Sequence, residues 1–331
     1  MSKKKKILLI VIDVLLLAAI AAGVLIYRAR SAEKDAEIDA SELSRRFSPT
    51  IENASGEKAE IRRHLSTVLL IGTDSYLGKD DDIEDVELHY NFDLCDFLIL
   101  LVFDHEAKTV TPFQINRDTM CEVPWISVNG ITDGTEFEQI CFAHTYGSGR
   151  EDSCKNTVNA VTNLLYGAPV DNYFAFTMDA VPVMNDLVGG VTVELTEDLP
   201  TLGKDYVKGA EITLMGGNAL RFVRYRNTAL LDSNLGRMSR HRQYLTAFAE
   251  SSREALKTND DLALEAYNSL QPYICTDLSV EGVTDLAHYL AEYELQPVLT
   301  PTGEYTKGEE FPEFYMDEAS LWDCVFKAFC K

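Results

Sequence analysis

Arg221, Arg224, Arg226, Arg237, Arg240 and Arg242 fall within 22 residues, accompanied by His241 and a single acid, Asp232. Guanidinium groups so close together repel one another unless carboxylates or a bound anion offset them, and the planar fork of arginine suits bidentate contacts to phosphate. Arg237, Arg240, His241 and Tyr244 recur at i, i+3, i+4 and i+7, which puts them on one side of a helix. Arg224 and Arg226 precede that helix, so a turn containing Asp232 brings both groups around one anion. Salt bridges to surface acids account for Arg221 and Arg242, which fall off the main faces, better than for the concentration as a whole.

Two carboxylates complement the arginines. Asp74 closes the apolar run STVLLIGTD (66–74), and Asp96 opens the run DFLILLVFD (96–104). Carboxylate pairs at strand ends, open to an anionic ligand, are what Mg²⁺ takes, because it prefers one or two carboxylates plus substrate phosphates to a full protein cage. Arg117 joins them where, with Asp118, it ends TVTPFQINRDT (109–119). A purely structural Arg117–Asp118 pair is the alternative at that position.

The elements that must hold these groups are legible. The runs 66–74, 96–104 and 109–119 read as strands, bounded by Gly72, Asp74 and charged ends. CKNTVNAVTNLLY (154–166) has helical spacing through Val158, Val161, Leu164 and Leu165. NYFAFTM and GGVTVEL read as strands on either side of a short helix over DAVPVMNDLV. Two helices follow between Gly216 and Lys257, over NALRFVRYR and RMSRHRQYLTAFAESSREALK. The tail adds a helix through Val283, Leu286 and Leu290, an extended LQPVLTP, and a last helix through Leu321, Val325 and Phe329, with packing as its expected role. Strands alternating with helices predict an α/β domain on a largely parallel or mixed sheet.

Composition sets the boundaries. The chain has 331 residues, 30 Lys plus Arg against 53 Asp plus Glu, and a formal charge of −23. Such a field repels phosphate backbones and argues against nucleic acid as a partner, and 10% aromatics argue against disorder. The charge is unevenly spread: residues 1–30 hold Lys3, Lys4, Lys5, Lys6, Arg28 and Arg30 against Asp13 alone. Between the basic flanks, ILLIVIDVLLLAAIAAGVLIY (7–27) gives 21 residues, enough to cross a hydrocarbon layer of about 30 Å as a helix. The excess of lysines before it places residues 1–6 in the cytoplasm and the acidic body outside, as a single-pass type II protein of the cell membrane. Its length exceeds the apolar core of a cleaved signal peptide. Residues 28–65, polar and charged, suit a stalk. Seven cysteines show no metal-ligand spacing, and in an exported domain the odd count leaves at least one outside any intramolecular disulfide.

Six segments in order resemble the LytR-CpsA-Psr proteins of the cell envelope: VLLIGTDS, CDFLILLVFD, FQINRDTM, FAHTYGSG, DLVGGVTVEL, and LMGGNALRFVRYR followed by LLDSNLGRMSRHRQYL. The resemblance runs from about Ser66 to about Ala249 behind the N-terminal apolar segment. It implies an αβα sandwich with a central mixed sheet and a hydrophobic channel for a lipid tail. It also implies an extracytoplasmic phosphotransferase of a Gram-positive-type bacterium that moves a glycopolymer from a polyprenyl-pyrophosphate carrier to peptidoglycan. By the same resemblance Asp74 and Asp96 would hold Mg²⁺, while Arg117, Arg224, Arg226 and Arg237 would grip the pyrophosphate. Three departures stand out: Asn116 replaces the family's usual proline, His241 its common glutamine, and the stretch from Asp232 to Arg237 is longer by about two residues.

These readings together divide the chain into a cytoplasmic tail (1–6), a membrane helix (7–27), a stalk (28–65), a catalytic domain (66–256) and a C-terminal extension packed on or next to that domain (257–331). They assign catalysis to Asp74, Asp96, Arg117 and Arg226, with Arg224, Arg237, Arg240 and His241 as further phosphate ligands. A non-catalytic binder of polyprenyl phosphates and a hydrolase of the carrier pyrophosphate are the rival readings, and survival of both carboxylates beside the arginines favours the transferase.

Overall fold

The computed structural model describes residues 50–74, 91, 93–127, 131–227, 229–259 and 262–331. Strands β1 (Thr50–Glu52) and β2 (Lys58–Glu60) form a small hairpin. Then β3 (Leu65–Thr73), β4 (Cys95–Asp104) and β5 (Thr109–Ile115) run as an antiparallel meander. A second hairpin pairs β6 (Met120–Ile126) with β7 (Thr132–Gln139). Helix α1 (Glu151–Leu164) leads to β8 (Asn172–Phe176), which lies parallel to β3. The chain continues through α2 (Ala180–Leu187), the antiparallel pair β9 (Val191–Glu194) and β10 (Glu211–Leu214), α3 (Gly217–Arg224) and α4 (Ser233–Thr258). It ends with α5 (Leu262–Leu270), β11 (Ile274–Thr276), α6 (Val280–Glu292), β12 (Glu294–Leu295), the hairpin β13 (Gly303–Lys307) and β14 (Pro312–Met316), and α7 (Glu318–Phe329).

The central mixed sheet has the order β11-β8-β3-β4-β5-β12. Its middle strand explains the layers. β4 is a continuous apolar run because both its faces are covered. Leu98, Leu100 and Val102 pack with Val161 of α1 and Val325 and Phe329 of α7. Ile99, Leu101 and Phe103 turn the other way, toward Leu245 of α4 and Leu286 and Tyr289 of α6. Helices therefore lie on both sides of the sheet, the expected αβα arrangement. A smaller core gathers α2, β9, β10, α3 and Tyr244 at the side of the sandwich.

Several boundaries move. The stretch expected as a stalk through residue 65 enters the domain at Thr50: Ile51 and Ala59 are buried in the main core, and Ile61 bridges Cys330. Strands of three residues bury one side chain each, too few to show a period. The hairpin β6–β7 has no apolar alternation because most of β7 is exposed. GGVTVEL is a strand, but it pairs with β10 outside the central sheet. Residues 257–331, expected to pack on or next to the domain, are built into it: β11 and β12 are strands of the central sheet and α7 fills its core. The expected cytoplasmic tail, membrane helix and residues 28–49 lie outside the described residues, among which no helix is long and apolar enough to cross a membrane.

Candidate active site

The site is built around one irregularity. Gly72 pairs with Phe97 and Thr73 with Cys95, so Asp96 is the extra residue of a β-bulge between β3 and β4. Bulges re-aim the inserted side chain. Gly72 permits the close approach, because a Cβ there would stand 2.9 Å from Phe97 Cβ and 3.2 Å from Phe176 Cε2.

Asp96 forms ion pairs with Arg117 Nη1 and, at 2.9 Å, with Arg237 Nη1. Arg117 comes from the turn after β5; its Nε lies 3.2 Å from Asp118 Oδ1, and its Nη2 donates to Cys141 Sγ at 3.0 Å. Arg226, just past α3, places Nη2 at 3.9 Å from Asp118 Oδ2 and donates from Nε to Ser233 Oγ at 2.8 Å. Arg237 is held by its Nε donating to Asn234 Oδ1 at 2.9 Å. Three guanidinium groups thus share two carboxylates in this set of ion pairs.

Arg237 carries the cost of that crowding. Burial, and behind it the fields of Arg117 and Arg226, push its guanidinium down to about 9. A guanidinium stays protonated at neutral pH, so the shift expresses how much an incoming anion would relieve. Its Nη2 is buried with no hydrogen-bond partner among the described residues. Burial also drives the Cys141 thiol up to about 11, so Cys141 remains a neutral neighbour of Arg117.

Asp74 follows β3 directly, its amide donating to Leu94 O at 3.1 Å and its Oδ1 accepting from Leu94 N at 2.9 Å. It therefore stands one residue beyond the Thr73–Cys95 pair, opposite Leu94, while Asp96 lies on the other side of that pair. Carboxylates near the ends of adjoining strands, one of them ion-paired to guanidinium groups, are hard-oxygen donors of the kind Mg²⁺ takes when ligand oxygens complete its shell. Among the described residues no group of three or more His, Cys, Asp or Glu could hold a metal by itself.

An apolar cavity of about 320 Å³ opens from this charged end, between the sheet and helices α2, α4 and α6. Asp96, Arg224 and Arg237 stand at its polar end, and Phe97, Phe174, Phe176, Val181 and Leu286 line its body. A second apolar cavity of about 310 Å³ shares Leu245, Phe248, Ala287 and Leu290 with the first. The two apolar cavities are neighbours across those side chains, and the first has Asp96, Arg224 and Arg237 in its wall.

Of the predicted residues, the structure brings together Asp96, Arg117, Arg226 and Arg237 through ion pairs that share Asp96 and Asp118, sets Asp74 against Leu94 just past β3, and puts Arg224 at the exposed rim of the cavity. Arg240 and His241 do not join the cluster. Arg240 pairs with Glu197 and the Tyr225 carbonyl and stacks 5.0 Å over the Tyr225 ring. His241 donates from Nε2 to Val223 O at 3.0 Å, inside the cavity wall. Burial, and after it Arg237, depress its imidazole to about 3, which leaves it neutral. The helical spacing is real, but α4 is enclosed on several sides here, and neighbouring positions meet different partners. Asn234, Cys141 and Tyr305 were missed; only Asn116, unusual before an arginine-aspartate pair, gave a signal.

Comparison with known proteins adds four findings. A family model described as LytR_cpsA_psr matches residues 26–315. A polyisoprenyl-teichoic acid–peptidoglycan teichoic acid transferase, TagU of Halalkalibacterium halodurans, is 26% identical over 215 residues, and the match spans 64% of either chain. The solved structure of TagT bound to LI-WTA superposes with a TM-score of 0.60 at 20% identity, covering 84% of this chain and 97% of that one. Protein gbs0355 from Streptococcus agalactiae gives 0.62 at 19% identity, covering 80% and 87%.

Proposed function

Because this chain belongs to the LytR-CpsA-Psr family, we propose that it is an extracytoplasmic phosphotransferase moving an anionic glycopolymer, such as a teichoic acid, from a polyprenyl-pyrophosphate carrier to peptidoglycan. The observation that carries the reading is Arg237: a buried guanidinium with one unpartnered nitrogen, beside Arg117 and Arg226, at the head of an apolar cavity. A diphosphate supplies negative charge to these guanidinium groups, and an isoprenoid tail supplies apolar surface for the cavity.

In this reading an acceptor hydroxyl of the wall glycan attacks the sugar-linked phosphorus. The new P–O bond forms, the bond to the bridging oxygen breaks, and polyprenyl phosphate leaves while the acceptor proton is released. Arg117, Arg226 and Arg237 neutralise charge on the phosphate oxygens, which in phosphoryl transfer is most of what the protein contributes. Asp96 fixes Arg117 and Arg237, and Asp118 fixes Arg117 and Arg226. Asp74 and Asp96 would hold Mg²⁺, which when bound offers further positive charge to the phosphates. Residues 7–27 would anchor the domain to the bilayer, and the stretch that follows would hold it outside the cell.

Product analysis tests the proposal. Purified residues 50–331 are given a polyprenyl-diphosphate-linked saccharide with and without peptidoglycan. A wall conjugate that forms only with the acceptor is expected. Free phosphate products without a conjugate would instead identify a hydrolase, and no product despite binding would identify a carrier-binding protein.

A further inference from the structure

The C-terminal hairpin enters the site from 187 residues away: Tyr305 on β13 donates from its hydroxyl to Asp118 Oδ2 at 2.9 Å. The same hydroxyl accepts from Asn116 Nδ2 at 2.9 Å, and Asn116 Oδ1 accepts from Asn234 Nδ2 at 2.7 Å and from the Asp118 amide at 3.0 Å. Tyr305 and Asn116 thus form one short chain of hydrogen bonds ending on the carboxylate that holds Arg117 and Arg226. Backbone contacts seat the hairpin on the same turn. Phe314 N donates to Asp118 O at 2.9 Å, Gln139 Nε2 donates to Pro312 O at 2.6 Å, and Thr119 bridges Phe314. The Tyr305 ring packs against Phe314 with centroids 5.0 Å apart.

We propose that Tyr305 is a positioning residue for the phosphate clamp, acting through Asp118 on Arg226. The inference rests on the phosphate-binding reading above. Asp118 Oδ2 is shared between the Tyr305 hydroxyl at 2.9 Å and Arg226 Nη2 at 3.9 Å. While the phenol satisfies that oxygen, Arg226 stands off and keeps its donors for a ligand. Without the phenol, Asp118 draws Arg226 into a close ion pair and withdraws it from the anion. Burial, and next the Asp118 charge, push the phenol's ionisation well above neutral pH, so the donor persists throughout the working range. The same network accounts for Asn116 in place of a proline: a turn that proline would stiffen through its ring is held here by side-chain hydrogen bonds reaching into β13 and α4.

A double-mutant cycle read by calorimetric titration with farnesyl diphosphate tests this. In the otherwise unaltered domain, Tyr305→Phe should weaken binding about ten-fold, with the melting midpoint close to the parent's because the ring contact survives. In an Arg226→Ala background the same change should alter affinity less than two-fold. Glu313→Gln on the partner strand, whose carboxylate faces Tyr315, should leave binding unchanged and controls for loss of the hairpin. Equal losses in both backgrounds, or no loss in either while the parent binds, would overturn the positioning role. Should Tyr305→Phe unfold, Asn116→Ala, which removes the other end of the network, gives the same comparison. A parent domain that binds no farnesyl diphosphate at all would overturn the phosphate-binding reading itself and this inference with it.

Discussion

Asp96 of β4 and Arg237 of α4 meet at 2.9 Å, a bulge carboxylate against a guanidinium that burial and its neighbours have already made costly. Removing the acid leaves Arg117 and Arg237 facing each other without a shared counter-charge. Asp96→Ala is expected to lower folding stability by about 3 kcal/mol, typical of a broken buried pair, and to abolish transfer. Urea unfolding checks the first effect, and a parent-like midpoint would contradict the ion-pair geometry.

The cavity should matter to the tail and not to the phosphates. Leu245 lines both apolar compartments, so Leu245→Trp takes up apolar space in them. Affinity for farnesyl diphosphate should fall ten-fold or more, while affinity for inorganic pyrophosphate changes less than two-fold. Equal weakening of both ligands would show that the indole had disturbed the charged end.

Metal dependence follows from the carboxylate pair. Transfer should stop in EDTA and return with Mg²⁺, and Asp74→Asn should require at least ten-fold more Mg²⁺ for half-maximal rate. Full activity in chelator, or an unchanged Mg²⁺ requirement in the variant, would remove Asp74 and Asp96 from that role.

Acid should loosen the domain through two buried histidines. Burial holds His241 at about 3 and His144 at about 4, whereas an unfolded histidine titrates near 6.5, roughly. Between these values the unfolded chain binds more protons, so stability falls as the pH falls. The contribution is complete above the unfolded value and is lost as the pH drops toward 4 and then 3. His241→Gln keeps a donor for the Val223 carbonyl but cannot titrate. It should reduce the loss between pH 7 and pH 5 by roughly 2 kcal/mol, seen as a flatter plot of urea midpoint against pH; the parent slope in the variant would rule out the assignment.

The strands and helices that carry the site were legible because each has a period or an uninterrupted apolar run: Leu65–Thr73, Cys95–Asp104 and Ser233–Thr258 all appear where the pattern puts them. Asp96 and Arg117 were legible for a related reason, as charges at the ends of such runs, and Arg237 as one of six arginines crowded into 22 residues. The bulge was not, since one extra residue in a ladder leaves no trace in composition. Nor was Tyr305, whose meaning depends on a contact 187 residues distant. Arg240 and His241 show the limit of spacing alone, for a helix face says which residues are neighbours and not what lies opposite them.

β4 has a further consequence for how the chain finds its frame. Its two faces are equally greasy, one feeding the core under α1 and α7 and the other the core under α4 and α6. Sliding it by one position would exchange Leu98, Leu100 and Val102 for Ile99, Leu101 and Phe103, and burial alone would scarcely object. What distinguishes the correct alignment is ionic and sits at the two tips: Asp96 against Arg117 and Arg237 at one end, Asp104 against Arg62 at 2.7 Å at the other. The carboxylate at the arginine end is therefore also a peg that locks the middle strand in place, and under the proposed function selection on chemistry and selection on alignment act on the same side chain.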